Sequence, residues 1–258
     1  MPYNLILIVP FVLGAVVGSF LNVCIYRIPA GRSIVFPGSS CSSCGQAIAF
    51  YDNIPILSYL LLRGRCRRCA ASFSFQYPLV EVLSAVFATA LFIRSGASVE
   101  TLVYFVFVSA LIVITFIDLE LRIIPDVISL PGIPLGFAAS FVLPAMNWLD
   151  SVIGALAGGG ILLAIAVAYY AVAKKEGMGG GDVKLLAMIG AFIGWQGVLM
   201  TLLLASFSGS IIGLAMMLIY GKDSKYAIPF GPFLAGGALA YLFVGSRLIA
   251  WYFTVSGF

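Results

Sequence analysis

The chain has no histidine and very little charge. Without histidine there is no Ser-His-Asp or Cys-His catalysis, no imidazole zinc ligand, and no side chain whose unperturbed titration falls near neutral pH. Any proton transfer must then come from ten carboxylates, from tyrosines and lysines, or from a metal. Charged residues are 9% of the 258, against about 25% in an ordinary soluble domain. Such a chain cannot cover a core with polar side chains, so lipid must cover it. The net charge of +4 is small and lies mostly in loops, which gives no argument for nucleic acid. The first apolar run is expected to be a retained anchor and no cleavable signal. Nothing basic precedes the first apolar run, Arg27 and Arg32 follow it, and no small-residue cleavage site closes it.

What remains is apolar: 62% of the residues, where about 45–50% is usual. A helix crossing the hydrocarbon takes about 20 such residues. Runs of this kind occupy 5–26, 79–93, 101–117, 127–149, 151–173, 183–195, 197–220 and 228–254. The expected fold is therefore an all-α polytopic membrane protein with about eight transmembrane helices. It forms a single membrane domain over 1–258, with one sizeable polar loop, 27–78, between the first two helices.

The basic residues set the orientation. With the N-terminus outside, the cytosolic loops are 27–78, 118–126, 174–182 and 221–227. These loops, with Lys184 just beyond, hold twelve of the 14 Lys and Arg residues; only Arg94 and Arg247 fall towards the other face. This bias supports both short runs, 79–93 and 183–195, as crossings. Thirteen helical residues in 183–195 rise only about 20 Å, so that helix either continues past Gly197 or starts inside the membrane. Small-residue spacings at Gly154 and Gly158, and at Gly209 and Gly213, suit close packing of helices in lipid.

The loop carries Cys41-Ser-Ser-Cys44 and Cys66-Arg-Arg-Cys69, two CxxC pairs separated by 21 residues. Each pair can grip one ion from one turn, and two pairs complete a closed tetrahedral thiolate site of the structural zinc type. Arg65, Arg67 and Arg68 would offset its negative charge. The alternative, two disulfides, is disfavoured in a reducing cytosol. Cys24 lies in an apolar helix and reads as a packing residue.

Asp118 closes one apolar run and Asp182, after Gly177-Met-Gly-Gly-Gly181, opens another, so both stand at the cytosolic ends of membrane helices. Carboxylates beside hydrocarbon are costly to place and tend to mark a site. Two that lie close together share one proton, so one can serve as base for water while the other serves as acid. Peptide hydrolysis can proceed this way with neither histidine nor metal. The glycines are expected to supply positive φ and close approach for a substrate strand. The plainer alternatives are that Asp182 caps helix 183–195 and that Asp118, Glu120 and Asp126 are solvated loop charges.

Taken together, these residues resemble the type IV prepilin peptidases, or prepilin leader peptidase/N-methyltransferases, of the GxGD aspartyl protease group. The matching stretches are Gly18-Ser-Phe-Leu-Asn-Val-Cys-Ile-Tyr-Arg-Ile-Pro29, both cysteine pairs, Asn53-Ile-Pro-Ile-Leu-Ser58, Leu62-Arg-Gly-Arg-Cys66, and Tyr77-Pro78 with Glu81. Further on come Ile117-Asp118 through Pro125-Asp126, Glu176-Gly-Met-Gly-Gly-Gly-Asp-Val-Lys-Leu-Leu186, and Ile228-Pro-Phe-Gly-Pro232. The likeness runs in order along nearly the whole chain. It implies catalysis by Asp118 and Asp182, with Asp126 and Glu120 as rivals for the first role, and cysteine ligands at Cys41, Cys44, Cys66 and Cys69. The implied reaction removes a short basic leader from type IV prepilins or type II secretion pseudopilins, at the cytosolic side of the bacterial inner membrane. Many members then methylate the new N-terminal amine with S-adenosylmethionine.

Glu81 could hold a substrate or cofactor ammonium, although an acidic residue near the start of its helix is the simpler reading. The chain departs from the family at Ser42, where proline is frequent, and at Gln76, where a basic residue is usual. The competing functions are a peptidase without methyl transfer, a related GxGD protease with another substrate, and a non-enzymatic carrier or assembly scaffold. A transporter should show repeated halves with matching broken helices, and no internal repeat is visible. Oligomeric state is not readable from the sequence.

Overall fold

The computed structural model describes residues 6–175, 179–220 and 228–256. The expected cytosolic loop 221–227, with Lys222 and Lys225, and Glu176–Met178 of the glycine motif lie outside them. Among the described residues the structure is helical, with no strand beyond two isolated bridges. The elements are α1 (Ile8–Arg27), a short α2 (Leu57–Leu61), α3 (Gln76–Ser95), α4 (Val99–Leu121), α5 (Asp126–Ala139), α6 (Trp148–Ala173), α7 (Gly180–Tyr220) and α8 (Gly231–Ser256). Five of them, α1, α3, α4, α6 and α7, are long and apolar enough to cross a membrane; α5 and Gly231–Gly245 of α8 are shorter apolar helices. The protein is thus a multi-pass membrane protein.

The helix surfaces point the same way. On α1, Ile8, Val9, Val12, Leu13, Val16 and Phe20 are exposed, while Gly14, Gly18, Leu21 and Ile25 are buried. A helix that is apolar on its outer face as well as its inner one belongs in hydrocarbon.

Two boundaries differ from expectation. The run 127–149 is not one helix: α5 stops at Ala139 and α6 starts at Trp148. Asn147 and Asp150 form a reciprocal capping box there, with the Asp150 N–H donating to Asn147 Oδ1 at 3.0 Å. The helix over 183–195 starts earlier, at Gly180, and meets its successor at Gly194. There φ of 73° and ψ of 177° break the helix, so α7 is two helices end to end. That conformation is open to glycine and strained for other residues.

The chain divides into two compact units, Met1–Val113 and Ile114–Phe258. In the first, α1 packs on α3 through small residues. A Cβ on Gly14 would sit 2.7 Å from Ala85 Cα, and one on Gly18 would sit 2.6 Å from Glu81 Cα. The Ser84 hydroxyl donates to the Gly14 carbonyl at 2.7 Å across this seam. Val80, Ala85 and Leu91 are fully or almost fully buried behind it.

In the second unit, α7 is the central element, packed against α5, α6 and α8. Leu162, Leu185, Leu186, Ile189, Val198 and Leu234 form its core. Gly154 and Gly158 of α6 abut the carbonyls of Gly190 and Leu186, as their spacing suggested. Gly209 and Gly213 do not behave alike. Their nearest neighbours, rings of Phe233 and Phe230 and the side chain of Ile228, stand at ordinary contact distance.

Candidate functional site

Asp118 lies in the last turn of α4, where the Arg122 N–H donates to its carbonyl at 2.9 Å and a positive φ at Arg122 (56°) ends the helix. The side chain is buried. Its Oδ2 accepts the backbone N–H of Gly231, the first residue of α8, at 2.9 Å. Only glycine allows this approach, because a Cβ at position 231 would lie 2.6 Å from that same oxygen. The sequence offered one signal for Gly231, its place in Ile228-Pro-Phe-Gly-Pro232. Nothing in the spacing tied it to a residue 113 positions earlier.

Asp182 lies in the first turn of α7, two residues after the helix begins, and not at a cap. It is buried, and its Oδ1 has no hydrogen-bond partner among the described residues. An N-cap carboxylate would spend its oxygens on helix N–H groups, so the capping alternative fails. The two carboxylates are near enough to repel each other electrostatically. The structure therefore brings Asp118 and Asp182 together within one compact unit.

The glycines before Asp182 differ from expectation. Gly180 and Gly181 are helical and neither has a positive φ. Gly181 instead packs on Ile124, whose Cβ would be 2.9 Å from an added methyl. This contact seats the start of α7 against the segment that follows Asp118.

The rivals stand elsewhere. Asp126 is exposed and both its oxygens accept from Lys184 Nζ at 2.8 Å. Glu120 is exposed.

The four loop cysteines converge. Their Sγ atoms all lie within 4.8 Å of one another, and none forms a disulfide. Each pair sits on the same kind of knuckle. The Cys41 N–H donates to the Gln46 carbonyl at 2.9 Å and the Cys66 N–H to the Ala71 carbonyl at 2.8 Å. Gly45 and Ala70, each directly after its pair, take φ of 70° and 57°.

The Cys41 and Cys69 sulfurs are 3.7 Å apart, close to the ~3.8 Å edge of a tetrahedron with Zn–S bonds of about 2.3 Å. The cluster can hold a metal ion. Amide N–H groups of Cys44 and Ser43 draw the Cys41 thiol down to about 6, and those of Cys69 and Arg68 lower Cys66. The Ala71 amide favours the Cys69 thiolate, but burial and the neighbouring thiols outweigh it and push Cys69 up to about 11. Four thiolates therefore need a cation among them. Arg67 does not help to offset that charge. It is committed to Asp52 in a bidentate pair at 2.7–3.0 Å and lies over the Tyr51 ring. Cys24 is buried in α1.

Glu81 is buried near the start of α3, and the helix-terminus reading does not describe it. Its Oε2 accepts the backbone N–H of Ile56 at 2.7 Å, from the middle of the polar loop. It lines a cavity of about 540 Å³ between the loop, α1 and α3.

Two family models together match most of the chain. The Bacterial Peptidase A24 N-terminal domain matches residues 12–95, and the Type IV leader peptidase family matches 105–214. Several curated relatives align along nearly the full length. A prepilin leader peptidase/N-methyltransferase of Pseudomonas putida is 38% identical over 96% of this chain and 93% of its own. One from Aeromonas hydrophila is 35% identical, over 95% and 92%. One from Myxococcus xanthus is 42% identical over 82% of this chain and 63% of its own. No solved structure matches.

Proposed function

Because the chain belongs to the type IV leader peptidase family, we propose that it cleaves the leader from prepilins or pseudopilins and methylates the amine so exposed. The observation that carries the peptidase assignment is the buried pair Asp118 and Asp182, set against an Asp126 already neutralised by Lys184. We place this pair at the cytosolic face of the bacterial inner membrane, with the N-terminus outside, on the distribution of Lys and Arg.

The chemistry follows from which oxygens are occupied. An N–H donor needs a lone pair, so Asp118 Oδ2 is held as an acceptor by Gly231. The proton shared by the pair then belongs on Asp182, whose Oδ1 has no other partner among the described residues. Asp118 takes a proton from water as its oxygen attacks the scissile carbonyl carbon. Asp182 gives its proton to the carbonyl oxygen; on collapse of the diol Asp182 takes back a hydroxyl proton while Asp118 passes the water proton to the departing amine.

The four cysteines are assigned as a closed structural zinc site with no open position for a substrate. S-adenosylmethionine supplies an electrophilic methyl group. That methyl would pass to the free-base form of the new N-terminal amine.

The test is cleavage of a purified leader-bearing pilin, read by mass spectrometry with and without S-adenosylmethionine. Asp118→Asn and Asp182→Asn should each abolish cleavage while the protein stays folded and zinc-loaded. The double variant should match either single one, since paired catalytic groups are not additive. Survival of cleavage in Asp182→Asn would remove the aspartyl mechanism. A wild-type protein inert towards pilin would favour the scaffold.

A further inference from the structure

Glu81 is a buried carboxylate with no ion pair among the described residues. Burying a charge without a partner is expensive, and two of the nearby cations are engaged elsewhere. Arg27 donates to the carbonyls of Ser33 and Gly38, and Arg67 is held by Asp52. The Ile56 N–H occupies one oxygen of the carboxylate, and the Ser19 hydroxyl stands near it. An ionised carboxyl group has about four acceptor positions, so capacity remains on the side that lines the cavity.

The local backbone is built around this group. Gly18 lets α1 press onto Glu81 Cα, which sets Ser19 and Asn22 beside it; Asn22 Nδ2 donates to the Tyr77 carbonyl at 3.0 Å. Ile56 has φ of 63°, a strained value for a β-branched residue, and the Glu81 carboxylate holds its N–H there. Strain of this kind collects at ligand sites.

The cavity also carries in its wall two aromatic side chains, Tyr26 and Tyr77, and two cations, Arg32 and Arg65. Its volume, about 540 Å³, lies in the range of small-molecule sites. A simple amine would leave most of it empty. An amino acid joined to a heteroaromatic nucleoside would fill it, with ammonium on the carboxylate, carboxylate towards an arginine, and base on a ring.

We propose that this cavity binds S-adenosylmethionine, with Glu81 anchoring the α-ammonium of its amino-acid end. The proposal rests on the methyltransferase reading above and assigns its donor site.

The experiment is isothermal titration of zinc-loaded protein in detergent with two probes that cannot transfer a methyl group. S-adenosylhomocysteine keeps the ammonium; 5′-methylthioadenosine lacks the amino-acid end. Wild-type protein should bind the first about 10- to 100-fold more tightly, the range of one charge-assisted hydrogen bond. In Glu81→Gln, which can still accept from Ile56, that preference should shrink to about threefold or less, with zinc content and melting temperature retained.

Equal affinity of the wild type for the two probes overturns the anchor without any need of the variant. An unchanged preference in Glu81→Gln overturns it as well. Wild-type protein that methylates pilin yet binds S-adenosylhomocysteine only in competition with a peptide starting in Phe would assign Glu81 to the acceptor amine, and the proposal would fail. Binding of neither probe, with no methylation, removes the methyltransferase reading itself.

Discussion

Replacing Gly231 by Ala tests the aspartyl pair without touching either carboxyl group. The added methyl would lie 2.6 Å from Asp118 Oδ2, 3.2 Å from its Cγ and 3.4 Å from its Cβ. Carbon and oxygen in ordinary contact stand about 3.5 Å apart, so the carboxylate must withdraw by about 1 Å. That movement breaks a bond of 2.9 Å from the Gly231 N–H. A hydrogen bond to a charged group is worth about 1.5–3 kcal/mol, and a misplacement of about 1 Å at a reacting group can cost around 100-fold. The kcat for leader cleavage should therefore fall about 100-fold, with KM for the pilin changed by less than about threefold.

Gly236→Ala on the same helix provides the control, since its Cβ would meet nothing within 4 Å. It should cleave at about the wild-type rate. The assay is initial rate against pilin concentration, with melting temperature measured on both variants. Wild-type kcat in a folded Gly231→Ala protein would refute the reasoning, because Asp118 could then work without its fixed position.

The remaining predictions concern the residues around the pair and the cysteine centre. Asp126→Asn removes an exposed ion pair worth at most about 1 kcal/mol, so cleavage should fall no more than a few-fold; Glu120→Gln should do less. A dead Asp126→Asn beside an active Asp118→Asn would transfer the first catalytic role. Purified protein should carry about one zinc per chain by elemental analysis, and Cys41→Ser or Cys69→Ser should lower both that content and the melting temperature. Metal-free wild-type protein with two disulfides would overturn the assignment.

Much of the molecule was legible because its strongest signals are local. Apolar runs long enough to span lipid announce helices, and the two CxxC pairs announce a thiolate cluster whatever the distance between them. Asp118 and Asp182 stood out because each interrupts hydrocarbon at a helix end.

Contacts between distant segments could not be read this way. Gly231 supports Asp118 from 113 positions away, and Ile56 reaches Glu81 across 25. The misplaced end of α5 was a different failure. Asn147 and Asp150 carry a capping signal in the sequence itself, which the length of the apolar run 127–149 obscured. The glycine motif was misjudged for a related reason. α7 begins at Gly180, ahead of its apolar stretch, so Gly181, expected to bend the backbone, is helical and packs against Ile124.

The absence of histidine and the pairing of the aspartates answer one another. A lone aspartate near pH 7 is a competent acceptor but rarely carries a proton to give, and no imidazole exists here to supply one. The cysteine centre, proposed as a structural zinc site, would not substitute, because four thiolates would close a tetrahedron and leave no position where water could be activated. Two carboxyl groups holding one proton provide both forms at once, a base and an acid side by side. For that division to direct a reaction, the two oxygens that act must be distinguished. The Gly231 N–H does this by reserving one oxygen of Asp118 as an acceptor, while Asp182 keeps an oxygen with no competing donor among the described residues. The asymmetry comes from backbone geometry and requires no third ionisable group.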